Sequence, residues 1–324
     1  MDPSVAHPPG LMSADPPVRP IGLFPRLHHL WRRIRNIRRP DLLVARRLGA
    51  ALSDRHYLAI GYRCYFGEWP DYAHPQTINE HIHAYMLHCR SPLLHIAADK
   101  AATREHVART VGAQYLVPSL GLWDSAAEVP LETLPRPCVL KPTVGSGQVM
   151  FLKPGEAINH CQARLTLQRW LDTDYARVNR EWCYAGLRGK VIAETLLTDE
   201  HGGVPADYKL YVIGGAVRFI QVDRGRFDQH TRNLYDLDWN LMPVRLTLEN
   251  HALDPRPEPL QEMVGLTLAL AKDFEFLRVD CYVVNGRLYV GELTSYPGAG
   301  FEKFMPHSYA LELGAHWRRK VSPL

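Results

Sequence analysis

The sequence predicts an α+β protein, and three observations carry that prediction. Up to about residue 135 the apolar residues recur mainly at helical spacing. Beyond it, short segments rich in β-branched and aromatic residues take over. Two pairs of these segments are joined by Gly214-Gly215 and Asn285-Gly286, the turn chemistry of antiparallel hairpins. Only two helical patterns intervene, so the strands do not form a run of βαβ units.

Composition sets the outer bounds. The 324 residues are 46% hydrophobic and 22% charged, close to globular averages, and suffice for about two domains with a buried core. With 23 glycines and 25 prolines the chain is neither collagen-like nor a low-complexity polymer. The net charge of +4, from 38 basic and 34 acidic residues, favours anionic ligands only mildly. No helix-turn-helix, RNP or zinc-finger pattern accompanies it, so no nucleic-acid partner is expected. Six cysteines, at 64, 89, 138, 161, 183 and 281, contain no CxxC pair and read as reduced, mostly buried thiols. There is no run of about 18 apolar residues and no secretory-signal pattern at the N-terminus, so the expected location is the cytoplasm.

Residues 1–22 carry six prolines and almost no apolar periodicity, which reads as a flexible leader. Residues 23–48 read as a basic amphipathic helix: Leu27, Leu30, Trp31, Ile34 and Ile37 form a stripe among six arginines before Pro40 ends it. Such a helix either docks its stripe on the protein body or lies on an anionic membrane surface, here the inner face. Residues 49–135 read as mainly helical, with loop chemistry at 67–77. Thr77 caps a helix to residue 88 with Glu80 three residues on, and Ile78, Ile82, Tyr85 and Met86 make its stripe. A further helix starts at Asp99. Strands are expected at 138–141, 149–153, 190–194, 208–213, 217–222, 276–284 and 287–293, and helices at 156–171 and 259–272.

Three constellations carry chemistry. In the first, Val139-Leu140-Lys141-Pro142 runs through Thr143-Val144-Gly145-Ser146-Gly147 into a second strand. A glycine-bearing loop beside a lysine can bring backbone amides to phosphate oxygens, though a plain hairpin tip uses the same residues. It is not a P-loop, because a strand follows it and GxxxxGK[ST] is absent. In the second, the Gly214-Gly215 turn pairs Asp207 with Val222 and Lys209 with Ile220, so that Asp207, Lys209 and Arg224 share a face. Two cations and a carboxylate there suit a polyanion, and a solvated outer face is the alternative.

The third is 277–284, the Asn285-Gly286 turn and 287–294. Arg278, Asp280 and Glu292 are charges inside otherwise apolar strands, where an unpaired charge is costly. Two carboxylates converging on a divalent cation would compensate them, and a buried ion pair of Arg278 with one acid is the alternative. A plain two-residue turn would put Asp280 and Glu292 on opposite faces. The expectation is therefore a three-residue loop with a bulge at Gly286, or an equivalent bulge elsewhere in the pair, placing Arg278, Asp280, Glu292 and Thr294 together.

In this order the three constellations resemble the ATP-grasp superfamily. Lys141 matches the lysine that holds the ATP phosphates, and Gly145, Ser146 and Gly147 match the glycine loop above them. Lys100, in Asp99-Lys100 with Arg104 a turn later, looks like the earlier nucleotide-binding lysine. Glu194, with Thr195 and Leu196 after it, matches the linker acid whose neighbouring backbone meets adenine. Asp207 and Lys209 resemble the Asp-x-Arg/Lys strand, Arg224 the arginine closing the next strand, and Arg278-Val279-Asp280 and Glu292-Leu293-Thr294 the arginine and metal-ligand motifs. More narrowly, Pro75-Gln76-Thr77-Ile78-Asn79-Glu80, Ala98-Asp99-Lys100, Asp207-Tyr208-Lys209 and Gly291-Glu292-Leu293-Thr294 look like the TupA-like ATP-grasp family, over about residues 54–314. One departure stands out: the superfamily usually has asparagine where this chain has Thr294, whose hydroxyl ligates weakly or through water.

The resemblance implies an ATP-grasp fold of two α+β subdomains sandwiching ATP, at 136–197 and 198–324, preceded by the helical region. It implies ATP and Mg²⁺ as cofactors, with Asp280, Glu292 and Thr294 at the metal and Arg278, Lys209 and Arg224 acting on the reacting groups. The activity implied is an ATP-dependent carboxylate–amine ligase working through an acyl phosphate. Its expected substrates are an amino acid or peptide amine and a carboxylate, as small molecules or glycans of cell-envelope or capsular polysaccharide biosynthesis. A phosphotransferase acting on a sugar hydroxyl and a non-catalytic glycan-binding protein are the rival readings, and no nucleophilic triad is visible among the 16 histidines.

Overall fold

The structure, a computed structural model, describes residues 52–199, 202–225 and 230–317. The leader at 1–22 and the basic helix at 23–48 lie outside the described residues, as do residues 226–229. No helix of the described residues is long and apolar enough to cross a membrane.

The chain begins with helices α1 (Asp54–Phe66), α2 (Ile78–His88), α3 (Leu93–Ala98) and α4 (Lys100–Thr110). Thr77 and Glu80 close a reciprocal capping box at the start of α2, and all four residues of the expected stripe are buried. Asp99 caps α4 by accepting from the Ala101 amide. The strands then form two antiparallel sheets. The smaller contains β1 (Ser119–Trp123), β2 (Cys138–Pro142), β3 (Met150–Leu152) and β4 (Val191–Thr195) in the order β1-β4-β2-β3, with α5 (His160–Leu171) and α6 (Tyr175–Asn179) inserted before β4. Strand β1 lies in the stretch expected to be helical; its Gly121 takes the close approach of the Trp123 ring, which a side chain there would block.

The larger sheet contains β5 (Asp207–Ile213), β6 (Ala216–Arg224), β7 (Thr231–Tyr235), β9 (Phe276–Val284) and β10 (Arg287–Thr294) in the order β10-β9-β5-β6-β7. A small ladder of β8 (Arg245–Leu246) with β11 (Phe304–Met305), α7 (Leu260–Leu270) and α8 (His307–Ala315) complete the elements. Strand β7 lies between the strand expected at 217–222 and the helix expected at 259–272, where the sequence predicts no strand. Its Arg232 and Asn233 are buried polar residues, held by Asp223, Asp254 and loop carbonyls, so the strand lacks the apolar alternation that marks one.

Both faces of the larger sheet are used. One packs Leu210, Ile220, Val222 and Val279 against α4 and α7. The other changes character along the strands. At one end Ile213, Phe219, Leu234 and Phe276 pack under α2 and α8; further along the same face carries Lys209, Asp280, Gln221 and Asp223. That ionic half is where the site lies.

Helix α2 also fixes the segment that follows β10. The Asn79 side-chain amide donates to the Gly300 and Glu302 carbonyls at 2.9 and 2.8 Å. His83 donates from Nε2 to the Ala299 carbonyl at 3.0 Å while Nδ1 accepts from the Tyr72 hydroxyl. Burial pushes the His83 imidazole down to about 4, which keeps it neutral for that pair of bonds. Packing at the far side of α2 is equally tight, since a Cβ on Gly314 of α8 would lie 2.0 Å from the Gln76 carbonyl oxygen. Gly265, within α7, has nothing near its missing Cβ. Gly314→Ala is therefore expected to destabilise the fold by about 1–3 kcal/mol. Gly265→Ala is expected to stabilise it by about 0.5–1 kcal/mol. Urea unfolding midpoints check both, and equal midpoints for the two variants would contradict the packing described.

Candidate functional site

Register decides which charges meet. At the Gly214-Gly215 turn Ile213 pairs with Ala216 and Val212 with Val217, the two-residue turn the sequence predicts. Arg218 is then an extra residue in β6, and beyond this bulge Asp207 pairs with Asp223 and Lys209 with Gln221, not with Val222 and Ile220. The one-residue shift exchanges the faces. Arg224 leaves the Asp207–Lys209 face and ion-pairs with Asp254 on the other side, while Asp223 and Gln221 take the place expected for it. The structure thus contradicts a shared face for Asp207, Lys209 and Arg224.

In the β9–β10 hairpin the Asn285-Gly286 turn is a plain two-residue one, with φ of 52° and 71°, and Arg287 pairs with Val284. The bulge needed for parity lies further along, at Gly291, so that Glu292 stands opposite Asp280 and Thr294 opposite Arg278. Glycine is required there because a Cβ would come within 2.5 Å of the Tyr282 ring. Arg278, Asp280, Glu292 and Thr294 do share a face, as expected, but through a different residue than Gly286.

The centre of that face is a closed set of charges. The Lys209 ammonium, 5% exposed, lies between Asp207 and Asp280, donating to Asp280 Oδ2 at 2.8 Å and to Asp207. Arg278 grips both oxygens of Asp280, at 2.7 and 2.8 Å, and donates from Nη2 to the Thr294 hydroxyl at 3.0 Å. Burial alone would raise the Asp280 carboxyl, but Arg278 and Lys209 outweigh it and hold the group below its usual range. Burial opposes the charge on Lys209 in turn, and Asp280 and Asp207 restore it, leaving its ammonium above the ordinary lysine value. Beside this set Arg232 binds Asp223 and also donates to Glu302 at 2.7 Å.

A cleft enclosing about 1190 Å³, its open mouth included, runs along the edge of this face. Of the residues expected to bind a cofactor, Lys100, Lys141, Ser146, Gly147, Glu194, Thr195, Leu196 and Asp207 line it, and so does Glu292. Lys209, Arg278, Asp280 and Thr294 stand behind that lining, and Gly145 contributes through its carbonyl, which accepts from Lys100 Nζ at 2.7 Å. Glu194 accepts from Arg104 at 2.7 Å and from Lys141 at 3.0 Å. Residues the sequence did not single out complete the walls: Val139, Val149, Phe151 and Tyr282 make them apolar, and Asp223 adds a carboxylate.

Apolar walls at one part of the cleft with Lys100 and Lys141 in the same cleft fit a nucleotide, base against the walls and phosphates against the cations. Oxygen donors opposed in register fit Mg²⁺. Glu292 has no hydrogen-bond or ion-pair partner among the described residues, whereas both oxygens of Asp280 are already shared with cations. No group of three or more His, Cys, Asp or Glu among the described residues gathers to hold a metal by itself. A cation here would complete its shell with phosphate oxygens and water.

A second acid lies nearby that sequence reasoning missed. Glu181, only 7% exposed, precedes the short turn Trp182–Tyr184 and has no side-chain partner among the described residues. Burial, with a contribution from Glu292, pushes its carboxyl up to about 8. Nothing in its neighbours, Arg180 and Trp182, marks it in the sequence.

The sequence matches the family model described as TupA-like ATPgrasp over residues 80–318. No curated protein matches it. Among solved structures it is similar to an ADP complex of N5-carboxyaminoimidazole ribonucleotide synthetase, at 16% identity over 67% of this chain and 50% of that one, TM-score 0.38. It is similar also to D-alanine–D-alanine ligase from Bacillus anthracis complexed with ATP, at 18% over 62% and 56%, TM-score 0.38. A third is the ATP-grasp ligase PsnB with a phosphomimetic variant of minimal precursor, Mg and ADP, at 14% over 70% and 61%, TM-score 0.38. The chain spans between half and two thirds of the length of these structures.

Two stability experiments follow from the buried charges. Lys209→Met leaves Asp207 and Asp280 facing each other without their shared cation and is expected to cost about 3–5 kcal/mol at neutral pH; a loss below about 1 kcal/mol in denaturant unfolding would show the carboxylates to be compensated otherwise. Glu181 carries the opposite sign. Below its ordinary value of 4.5 it is protonated folded or unfolded; as pH rises towards about 8 the unfolded chain ionises first, and the folded state loses stability. Glu181→Gln, which stays neutral, should therefore match the wild type near pH 4. It should exceed the wild type by up to about 5 kcal/mol above pH 8, read as a widening gap in melting temperature.

Proposed function

The chain belongs to the TupA-like ATP-grasp family, and from that premise we propose that it is an ATP-dependent carboxylate–amine ligase that works through an acyl phosphate. A carboxylate is a poor electrophile. Moving the γ-phosphoryl group of ATP onto it creates a mixed anhydride, whose carbonyl an amine attacks while phosphate departs. Catalysis of this kind is positioning and charge neutralisation, with no protein nucleophile needed.

The observation that carries the reading is the pairing of Glu292 with Asp280 on a face served by the same cleft as Lys100 and Lys141. The apolar walls hold the base, with the backbone at Thr195 and Leu196 along its edge. Lys100 and Lys141 receive the phosphates; for Lys100 this means exchanging the Gly145 carbonyl for a phosphate oxygen, a change that also frees the glycine loop to settle on the nucleotide. Glu292 and Asp280 would hold Mg²⁺, which when bound would neutralise the charge on the phosphate oxygens as the bond from the γ-phosphorus to its leaving oxygen breaks. Lys209 acts from beneath as a positioning residue, spacing Asp207 and Asp280. Thr294 orients Arg278 through its hydroxyl, and Arg278 would supply positive charge to the developing oxyanion from behind the cleft wall. Arg224, turned to Asp254, has no part in the step.

The finer identity of the substrates follows the family resemblance: an amino acid or peptide amine, joined to a uronic-acid carboxylate in cell-envelope or capsular polysaccharide assembly. A screen of uronic acids against amino acids, followed by ADP release with Mg²⁺ present, tests it. The expected result is ADP and phosphate in equal amounts only when carboxylate and amine are both supplied. Glu292→Gln should lower kcat by about 10²–10³-fold with ADP affinity changed far less. Phosphate retained on an acceptor hydroxyl without any amine would make the protein a phosphotransferase, and no nucleotide binding by calorimetry with or without Mg²⁺ would leave only a glycan-binding role.

A further inference from the structure

Lys141 is already engaged. Its ammonium donates to Glu194 Oε2 at 3.0 Å, and both residues line the cleft. For Lys141 to turn to a phosphate this bond must be given up, and Glu194, 8% exposed, would be left a buried carboxylate unless another cation held it. Lys100 faces a milder exchange, since it leaves only a carbonyl. Arg104 is the cation that stays with Glu194. It stands one turn after Lys100 on α4, and its Nη1 donates to Glu194 Oε1 at 2.7 Å and to the Val117 carbonyl at 2.8 Å. Helix α4 is itself fixed at its start, where the Lys100 amide donates to the Thr143 carbonyl at 2.9 Å. Arg104 does not line the cleft, so a ligand entering there does not compete for it. The two oxygens of Glu194 are thus divided between a cation that faces the ligand and one held behind the wall.

Resting on the reading of the cleft as an ATP site, we propose that Arg104 is a positioning residue for nucleotide binding, which keeps Glu194 compensated and so releases Lys141 to the phosphates. Without Arg104, Lys141 would be the cation that Glu194 depends on, and a phosphate would have to compete with that carboxylate for one ammonium. Arginine suits the post because its guanidinium keeps its charge and its direction, whereas an ammonium on a flexible stem can follow the ligand. A plain structural brace would need only the bond to Val117, just ahead of β1, and would bear on every ligand of the cleft alike. Release of Lys141 bears only on ligands that carry phosphate.

The experiment compares Mg·ADP with adenosine, both by calorimetry on the full chain. Arg104→Gln should weaken Mg·ADP by about 10-fold or more while adenosine, which asks nothing of Lys141, stays within about 2-fold. Adding Glu194→Gln to Arg104→Gln should recover at least about 5-fold in Mg·ADP affinity, because no acid then holds Lys141. Arg104→Lys, which keeps the charge, should stay within about 3-fold of the wild type for Mg·ADP. Equal losses of Mg·ADP and adenosine in Arg104→Gln, unchanged Mg·ADP affinity, or a double variant no tighter than the single one overturns the assignment. If Arg104→Gln does not fold, Arg104→Lys decides alone, and a loss of about 10-fold or more in Mg·ADP with adenosine unchanged overturns it. Wild-type protein that binds neither ligand defeats the nucleotide reading itself, whereas binding indifferent to Arg104 defeats only the assignment.

Discussion

The ammonium of Lys209 is the constraint on which the rest of the site depends. Sealed to 5% exposure, it can stay charged only because Asp207 and Asp280 flank it, and they can stay ionised only because it and Arg278 do so. None of the four groups is affordable alone. Such a set adds little net stability compared with apolar residues of the same volume, because desolvation consumes most of the attraction. What it gives is geometry: both oxygens of Asp280 are fixed, and the strand register sets Glu292 directly opposite it at the cleft.

A second layer holds this geometry from a distance. Thr77, Asn79 and Glu80, part of one of the four motifs that narrow the family resemblance, do not line the cleft. Thr77 and Glu80 cap α2, and Asn79 with His83 from the same helix pins the carbonyls of residues 299, 300 and 302. Glu302 then holds Arg232, and Arg232 holds Asp223, which does line the cleft. A motif that carries the family resemblance is, in this chain, the far end of a hydrogen-bonded support for the site. It has to be polar and specific because the segment it fixes includes Ala299 and Gly300 in left-handed conformation, which packing alone would not hold.

The fold was largely legible because periodicity and turn chemistry are local. Thr77 with Glu80, Asp99, the Gly-Gly turn and the 276–284 strand all fall where short-range rules put them. The site was legible in composition but not in register. Arg278, Asp280 and Glu292 stood out as charges among apolar neighbours, and parity demanded a bulge, but nothing local says that the extra residue is Gly291 and not Gly286. Arg218 gives still less warning, and that one extra residue moves Arg224 off the face and brings Asp223 onto it. Strand β7 escaped because its buried residues are Arg232 and Asn233, whose burial is bought by partners distant in sequence. Glu181 escaped for the reverse reason: what distinguishes it is the absence of partners, which no sequence displays.

That contrast orders the charges of the molecule into two kinds. Lys209, Asp280, Arg278, Asp223 and Arg232 are compensated by one another, and the protein needs nothing more to keep them ionised. Glu181 is not, Glu292 acts on Lys100 and Arg278 only at a distance and without a hydrogen bond, and Lys100, lowered chiefly by burial, is bonded only to a carbonyl. Incomplete compensation is costly wherever burial is deep, and local rules that are obeyed everywhere else tend to be broken where a ligand supplies the missing term. Lys100 and Glu292 show it: both line the cleft, and Glu292 is the acid that most offsets the loss of charge on Lys100 while neither bonds the other, so a ligand entering there meets a cation and a carboxylate together.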